Sequence, residues 1–536
     1  MRLKSLGLLL FHSVLAIAQG TIPNTQPINE STAFIGQPAT PNTLTVKIPF
    51  FPSASLMHED SGNTGSTDYP GPLGGSNMSL FSQQIVTGVM TWGTNNTMTI
   101  GYANSTTLAR GIAAIDPQTM EILATWTPPD SNQTLSLGYL EYLLESDEIL
   151  FTSQEGHVYL IRRDDDAEKG TAFTTVRNID LTTIPAAIAD GESLLNAMMD
   201  TAGNIWYTTG GIPGIGSLYA AQTFLTLGYI TPDNQVHSIQ MDGQTIENGI
   251  AVSNTTAYVV TGPTTIGTEG VPQVGYMLAL TSLPSSGDAG SNGGVRTLWN
   301  ATYDAGSTTK LGAITRGSGS TPALLGDDYV VITDNADGRI NLAVYYQGAI
   351  EKDQLLCTVP LFGENASAND LAATTHYDVT TGFYTVVVEN TFNGTTVFWP
   401  NASSTMDDIN GGWNNMAGMP GGTFAVQVSA DASGNSTAAP CSVRWTSPMT
   451  VKANPVLSTK TGLLYFYTQD EKLADEGMYV WYVVALDWRS GAEVWRARMG
   501  SGGAYNDNWL LGGLGPDGTY YQAMLGGLAA MKDGSN

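Results

Sequence analysis

Repetition constrains this chain more than any single motif. The stretch Val483-Val-Ala-Leu-Asp-Trp-Arg-Ser-Gly-Ala-Glu-Val-Trp495 reads as an apolar strand, a Ser-Gly reversal and a return strand ending on an aromatic ring, which is a hairpin signal. Echoes of its first strand stand at 112–116, 158–161, 228–231, 277–280, 341–345, 423–426, 482–487 and 527–531. Return strands ending on Trp126, Trp299, Trp445 and Trp495 follow four of them, and strands such as 205–208, 329–333, 383–388 and 464–467 come before. Units of roughly 45–60 residues with four short strands are the mark of a β-propeller. The expected fold is all-β, a single eight-bladed propeller, or seven blades if one irregular unit is an insertion. The last unit stops after its third strand. The isolated strand 44–50 (Leu-Thr-Val-Lys-Ile-Pro-Phe) is expected to complete that blade and close the ring without an exposed edge.

Composition agrees. Only 13% of the 536 residues are charged and 61 are glycine, which favours short strands and tight turns over long helices. The net charge of −27 argues against nucleic acid, whose phosphates need Lys/Arg stripes, and against anionic membrane surfaces.

The N-terminus has the form of a secretory leader: Arg2 and Lys4, an apolar run over 6–17, and an Ala-Ile-Ala site ending at Ala18. The expected organisation is a leader over 1–18, a flexible polar segment over 19–42 and the propeller over 43–536, in a secreted, extracellular glycoprotein that is a monomer. Eleven N-x-S/T sequons begin at Asn29, Asn77, Asn95, Asn104, Asn132, Asn254, Asn300, Asn365, Asn393, Asn401 and Asn435. The two cysteines, Cys357 and Cys441, are expected to pair in an oxidising compartment.

The segment Ala485-Leu-Asp-Trp-Arg-Ser-Gly-Ala-Glu-Val-Trp495 resembles the A-L-D-x-x-T-G-x-x-x-W repeat of the PQQ-repeat, quinoprotein-alcohol-dehydrogenase-like β-propellers, with a looser copy over 112–126. The resemblance implies the scaffold over about residues 44–533. That family's quinone site uses adjacent cysteines and a Ca²⁺ held by acids. Here the cysteines are far apart and no residue-by-residue match is found, so PQQ is not expected and no cofactor is, with Ca²⁺ left open as the alternative. Asp334, Asn335 and Asp337 resemble a Ca²⁺ loop only loosely, without the full acidic pattern.

Aligned on their inner strands, the units place Asn196, Asn248, Asn369, Asn454 and Asn508 just before the strand, with Thr321 at the same position in the fifth unit. Two readings are open: turn chemistry, since Asn caps strand starts through its own backbone, or a polar substrate pocket at one mouth of the channel. Candidate acid/base groups at that mouth are His58, Glu59, Arg316, Asp334 and Glu389, with Lys452 beside them. His58 shares a long polar loop with Glu59, Asp60 and Asp68, either a solvated surface loop or a tuned acid/base site. Three functions follow: a cofactor-independent enzyme of lyase, isomerase or cyclase type on a small natural-product or glycan substrate, a non-catalytic ligand- or sugar-binding propeller, or a degenerate quinoprotein relative.

Overall fold

A computed structural model describes residues 20–48, 50, 53–54, 57–75, 77–103, 110–189, 191–210, 224–264, 274–282, 294–351, 353–395, 408–430 and 439–534. The leader and the sequons at Asn104, Asn401 and Asn435 lie outside them. The described residues form eight sheets, each built on four antiparallel strands. We number the blades 1 to 8, over 86–126, 141–180, 194–242, 251–303, 323–360, 374–447, 456–501 and 512–532. Each of the eight expected third strands is the third strand of its blade.

The near-continuous apolar run Val480–Asp487 reflects burial on both faces. Trp481, Val483 and Ala485 pack on one side of blade 7 in a cluster with Tyr520 and Met531 of blade 8. Tyr482, Val484 and Leu486 face the other way, into a cluster with Val387 and Ala425 of blade 6. The aromatic that ends an outer strand locks adjacent blades together. Trp445 Nε1 donates to the Trp488 carbonyl of blade 7 at 3.0 Å, and Trp299 Nε1 to the Gln347 carbonyl of blade 5 at 2.8 Å. Gly491 has φ +71 and lies under the Trp445 ring, where a Cβ would collide, so the glycine of the repeat is the seat for the neighbour's tryptophan.

The ring is closed by an N-terminal strand, but not by 44–50. Ser79–Gln83 pairs antiparallel with Gly527–Lys532 and supplies the fourth strand of blade 8. It runs from exposed Ser79 and Leu80 to buried Gln83, with Phe81 edge-on to Tyr521 and under the Lys532 ammonium, and it leads directly into blade 1. The run 44–50 instead passes three interblade seams. Leu44 packs on the blade 6–7 core, Ile48 on the blade 5–6 core and Phe50 in the blade 4–5 core. Its apolar residues read as a strand because they seal successive interblade seams.

The segment expected to be flexible is strapped to blade 7. Phe34–Gly36 adds a fifth strand outside Glu493–Ser501, and Ile22 is buried in the same core. Cys357 and Cys441 are disulfide-bonded, tying the outer strands of blades 5 and 6. The eight described sequon asparagines (29, 77, 95, 132, 254, 300, 365 and 393) are all exposed. No helix among the described residues is long and apolar enough to cross a membrane.

Candidate active site at the channel mouth

The loop carrying His58 is neither a surface loop nor an open catalytic arm: it fills the channel. From Asp60 to Thr67 every residue is buried. The inner edge of an inner strand has backbone N–H groups with no neighbouring strand, and this segment satisfies them blade by blade. Val252, Leu324, Thr375 and Leu457, on the inner strands of blades 4 to 7, donate to the carbonyls of Ser61, Gly62, Thr64 and Gly65 at 2.7–2.9 Å. Asn63 Nδ2 donates to the Ile250 and Pro322 carbonyls, both at 2.9 Å, bridging blades 4 and 5. Asp60 folds the plug: its carboxylate accepts from the Gly62 and Thr64 amides, the Thr64 hydroxyl and the Lys47 ammonium.

Of the Asn ring, the side chains of Asn196, Asn248 and Asn454, with Thr321, join blades. Asn196 Nδ2 donates to the Asn248 carbonyl at 3.3 Å, and Asn248 Nδ2 to the Gly319 and Asp370 carbonyls. Asn369 Nδ2 donates to the Glu389 carbonyl at 2.8 Å, Asn454 Nδ2 to the Ala372 carbonyl, and Thr321 Oγ1 accepts from the Gly249 amide. The Asn508 amide donates to Asn506 Oδ1 at 2.8 Å, with φ +45 at Asn508. Turn and bridging chemistry thus accounts for these bonds.

The five expected acid/base residues do not converge. Burial holds the His58 pKa down at about 3, so its ring is neutral at physiological pH. Burial pushes Glu59 up to about 7, with Lys47 opposing; its carboxylate lies toward Gly513 and its charge acts on Tyr69. Arg316 Nε and Nη2 donate to the Gly306 carbonyl. Asp334 closes a turn, accepting from the Asn341 amide and side chain and the Ala336 amide, and the adjacent Asn335 side chain donates to the Ala305 and Thr308 carbonyls. Glu389 sits wholly buried on blade 6. Among the described residues no group of three or more His, Cys, Asp or Glu side chains is arranged to hold a metal.

A different pair does converge. Glu247, before Asn248 on blade 4, and Asp370, after Asn369 on blade 6, approach each other beneath the blade 5 loop 311–320. A Cβ on Gly319 would collide with Asp370 Oδ1 and stand 2.9 Å from Glu247 Oε1. The two oxygens therefore lie within the roughly 4–6 Å over which one carboxylate suppresses the other's ionisation. The loop holds them in place: the Thr315 amide (2.9 Å) and hydroxyl donate to Glu247 Oε2, and the Ile314 amide donates to Asp370 Oδ2 at 3.0 Å. Tyr303 OH accepts from the Ser318 amide at 2.8 Å and anchors the loop. Glu247 Oε1 is left without a hydrogen-bond partner. Burial pushes Glu247 up to about 7 against the two Thr315 bonds, and burial plus the Glu247 charge push Asp370 well above its usual range. At neutral pH the pair is therefore poised to share one proton, an acid and a base side by side.

Sequence reasoning placed the ring but passed over these acids. The signal was an acid immediately flanking the ring asparagine, Glu247-Asn248 and Asn369-Asp370, in the two blades on either side of the glycine-rich Arg316-Gly-Ser-Gly-Ser320.

The chain matches no protein-family model. It is 26% identical over 255 residues to an uncharacterised protein of Archaeoglobus fulgidus, a match covering 44% of this chain and less than half, 45%, of that protein. Among solved structures it is similar to the WD40 domain of SCAP from fission yeast (TM-score 0.41, 11% identity, covering 85% of this chain and 98% of that one). The Dos1 propeller (0.42, 9%, 85% and 94%) and oligogalacturonate lyase in complex with manganese (0.36, 8%, 84% and 99%) are similar at the same level. Likenesses this distant say nothing about function.

Proposed function

We propose that the protein is a secreted, cofactor-independent enzyme of the lyase or isomerase type, working on a small polyhydroxylated or sugar-like substrate at the channel mouth. The observation that carries this reading is the Glu247–Asp370 pair. In such a reaction the ionised carboxylate takes a proton from carbon. The protonated one gives its proton to the departing oxygen, for an elimination, or to the neighbouring carbon, for an isomerisation. Protons balance within the pair, and no electron acceptor is consumed. Gly319 is what lets the two groups approach, and the Ile314 and Thr315 amides fix their orientation. Because Glu247 and Asp370 are only 6% and 7% exposed, the reading requires the 311–320 loop to lift for substrate to reach them. The disulfide and the exposed sequon asparagines support an extracellular setting.

A ligand-binding propeller without catalysis is the second reading. The many interblade hydrogen bonds of the Asn ring favour it, since they leave a rigid, densely bonded mouth. Native mass spectrometry of the deglycosylated protein with a metabolite extract identifies what binds, and turnover of that compound separates the readings. Glu247→Gln and Asp370→Asn are each expected to keep binding and lose turnover by about 10²–10⁴-fold. Variants that turn over normally would remove the enzyme reading, and a ligand recovered unchanged from the native protein would select the binder.

A further inference from the structure

We propose that Glu389 is the charged ligand of an enclosed monovalent-cation site at the interface of blades 6 and 7. The repeat supplies an internal control. In blade 3 the second strand ends on Thr209, the third begins near Thr226, and both hydroxyls donate to the buried Glu192 carboxylate at 2.7 Å, with the Ala189 amide as a third donor at 2.6 Å. That is the ordinary way to bury a carboxylate: surround it with donors. In blade 5 the second strand ends on Thr333, whose hydroxyl bonds to that of Ser320. In blade 6 the second strand, Phe383–Glu389, ends on the acid itself.

Glu389 is fully buried, and neither of its carboxylate oxygens has a hydrogen-bond partner on another residue, only its own amide opposing the effect of burial. Thr423 stands directly opposite it across the strand pair, with Cβ atoms expected roughly 4.5–5.5 Å apart. Yet the Thr423 hydroxyl, buried too, does not bond to it and has no other partner. The Thr391 hydroxyl, two residues further along, is in the same condition. Side chains alternate along a strand. Val387 and Ala425, one period inward, belong to the core shared with blade 7, so Glu389 and Thr423 face that blade as well. Two carboxylate oxygens and two hydroxyl oxygens, none of them in a hydrogen bond to another residue, are what an alkali ion needs for a shell, and an ion between Glu389 and Thr423 explains why the pair does not bond directly.

Charge decides the class of ion. Burial pushes the Glu389 carboxyl well up, with no cationic side chain opposing it. A buried carboxylate must be neutralised by a proton or a cation. One carboxylate balances Na⁺ or K⁺, whereas a divalent ion would leave an unpaired positive charge in the interior. Because the cation displaces a proton, binding tightens as pH rises.

The test is thermal unfolding of the full secreted chain at fixed ionic strength and mildly alkaline pH, with choline chloride replaced stepwise by sodium, potassium or lithium chloride. One alkali ion is expected to raise the Tm saturably by roughly 2 °C, by less at pH 5, and the increment should vanish in Glu389→Gln. Thr423→Val, which keeps the carboxylate, should shift the midpoint of the effect to higher salt and serves if Glu389→Gln folds poorly. Equal Tm values in choline and every alkali salt would overturn the site, as would an increment that persists in Glu389→Gln or is unmoved in Thr423→Val.

Discussion

Glu247 and Asp370, from blades 4 and 6, are like charges that oppose each other's ionisation, whereas Lys452 and Asp507, from blades 7 and 8, are opposite charges 3.6 Å apart. Both pairs lie at the same mouth of the same channel. Lys452 is wholly buried, donates to Asn506 Oδ1 at 2.7 Å and stands 5.5 Å above the Trp481 ring. Its side of the mouth is closed by attraction. On the other side the carboxylates are held together against repulsion by amide donors from a loop, with no cationic side chain among the described residues between them. Opposite charges in a dry interior specify geometry. Like charges store a proton that can be moved, and this difference is why only the second pair is assigned chemistry.

The largest expected effect separates the pairs by stability. Lys452→Met should cost about 3–5 kcal/mol, because Asp507 is left as an uncompensated buried charge. Lys452→Met/Asp507→Leu should recover most of that loss, as buried pairs replaced whole by apolar groups often do. Glu247→Gln should instead fall within about 1 kcal/mol of the native protein, or above it at alkaline pH, since it removes repulsion rather than attraction. Denaturant unfolding of the four proteins checks this. A Glu247→Gln loss as large as that of Lys452→Met would mean that the carboxylates are held for structure.

Next in size is the plug. Asn63→Ala leaves the Ile250 and Pro322 carbonyls, both on the carboxylate side of the mouth, without their donor. It should cost about 2–3 kcal/mol and raise amide exchange in blades 4 and 5 more than in blades 7 and 8. Uniform exchange around the ring would show that the two halves are not mechanically distinct.

The repeat made the architecture legible because each blade buries both faces, so the third strands carry similar apolar phrases, and Gly491 of the Ser-Gly turn seats Trp445. The closing strand is not legible in the sequence: 44–50 carries apolar residues that pack at seams, while Ser-Leu-Phe-Ser-Gln at 79–83, which does close the ring, lacks a clear alternation and looks like loop. The ring positions at Asn248, Asn369 and Asn454 were legible from alignment of the inner strands. Glu247 and Asp370 were not singled out, since their juxtaposition needs the loop of the intervening blade and the absent side chain of Gly319. The role of Asp60–Thr67 depends on unsatisfied strand edges, and one-dimensional spacing does not display those.

A smaller effect appears in pH dependence. The Glu247 pKa rises from 4.5 to about 7 on folding, so between these values the native state binds the proton that the unfolded chain releases. Stability from this group is complete below pH 4.5 and is lost as pH rises through about 7. His58 and His376, held down by burial at about 3 and about 4, act oppositely: their contribution is lost as pH falls from 6.5 toward those values. The informative quantity is therefore native minus Glu247→Gln at each pH. It should decline from pH 4.5 to about 7 and then level, and a flat difference would show that Glu247 is not the group that holds the proton.

The finest test acts on one hydrogen bond. Thr315 donates to Glu247 Oε2 through both its amide and its hydroxyl, and donors to a carboxylate favour the charged form. Thr315→Val keeps the amide, the shape and the β-branch but deletes the hydroxyl. Glu247 should then titrate higher by less than a unit, at a cost of about 1 kcal/mol at alkaline pH, where the carboxylate must be charged. The pH window over which stability falls should keep its lower end near 4.5 and extend further upward in the variant, widening by the amount of the shift, and activity, if the pair is catalytic, should move its acid limb upward as well. If the stability profile shifts and the activity profile does not, the proton held at the mouth is not the proton used in the reaction.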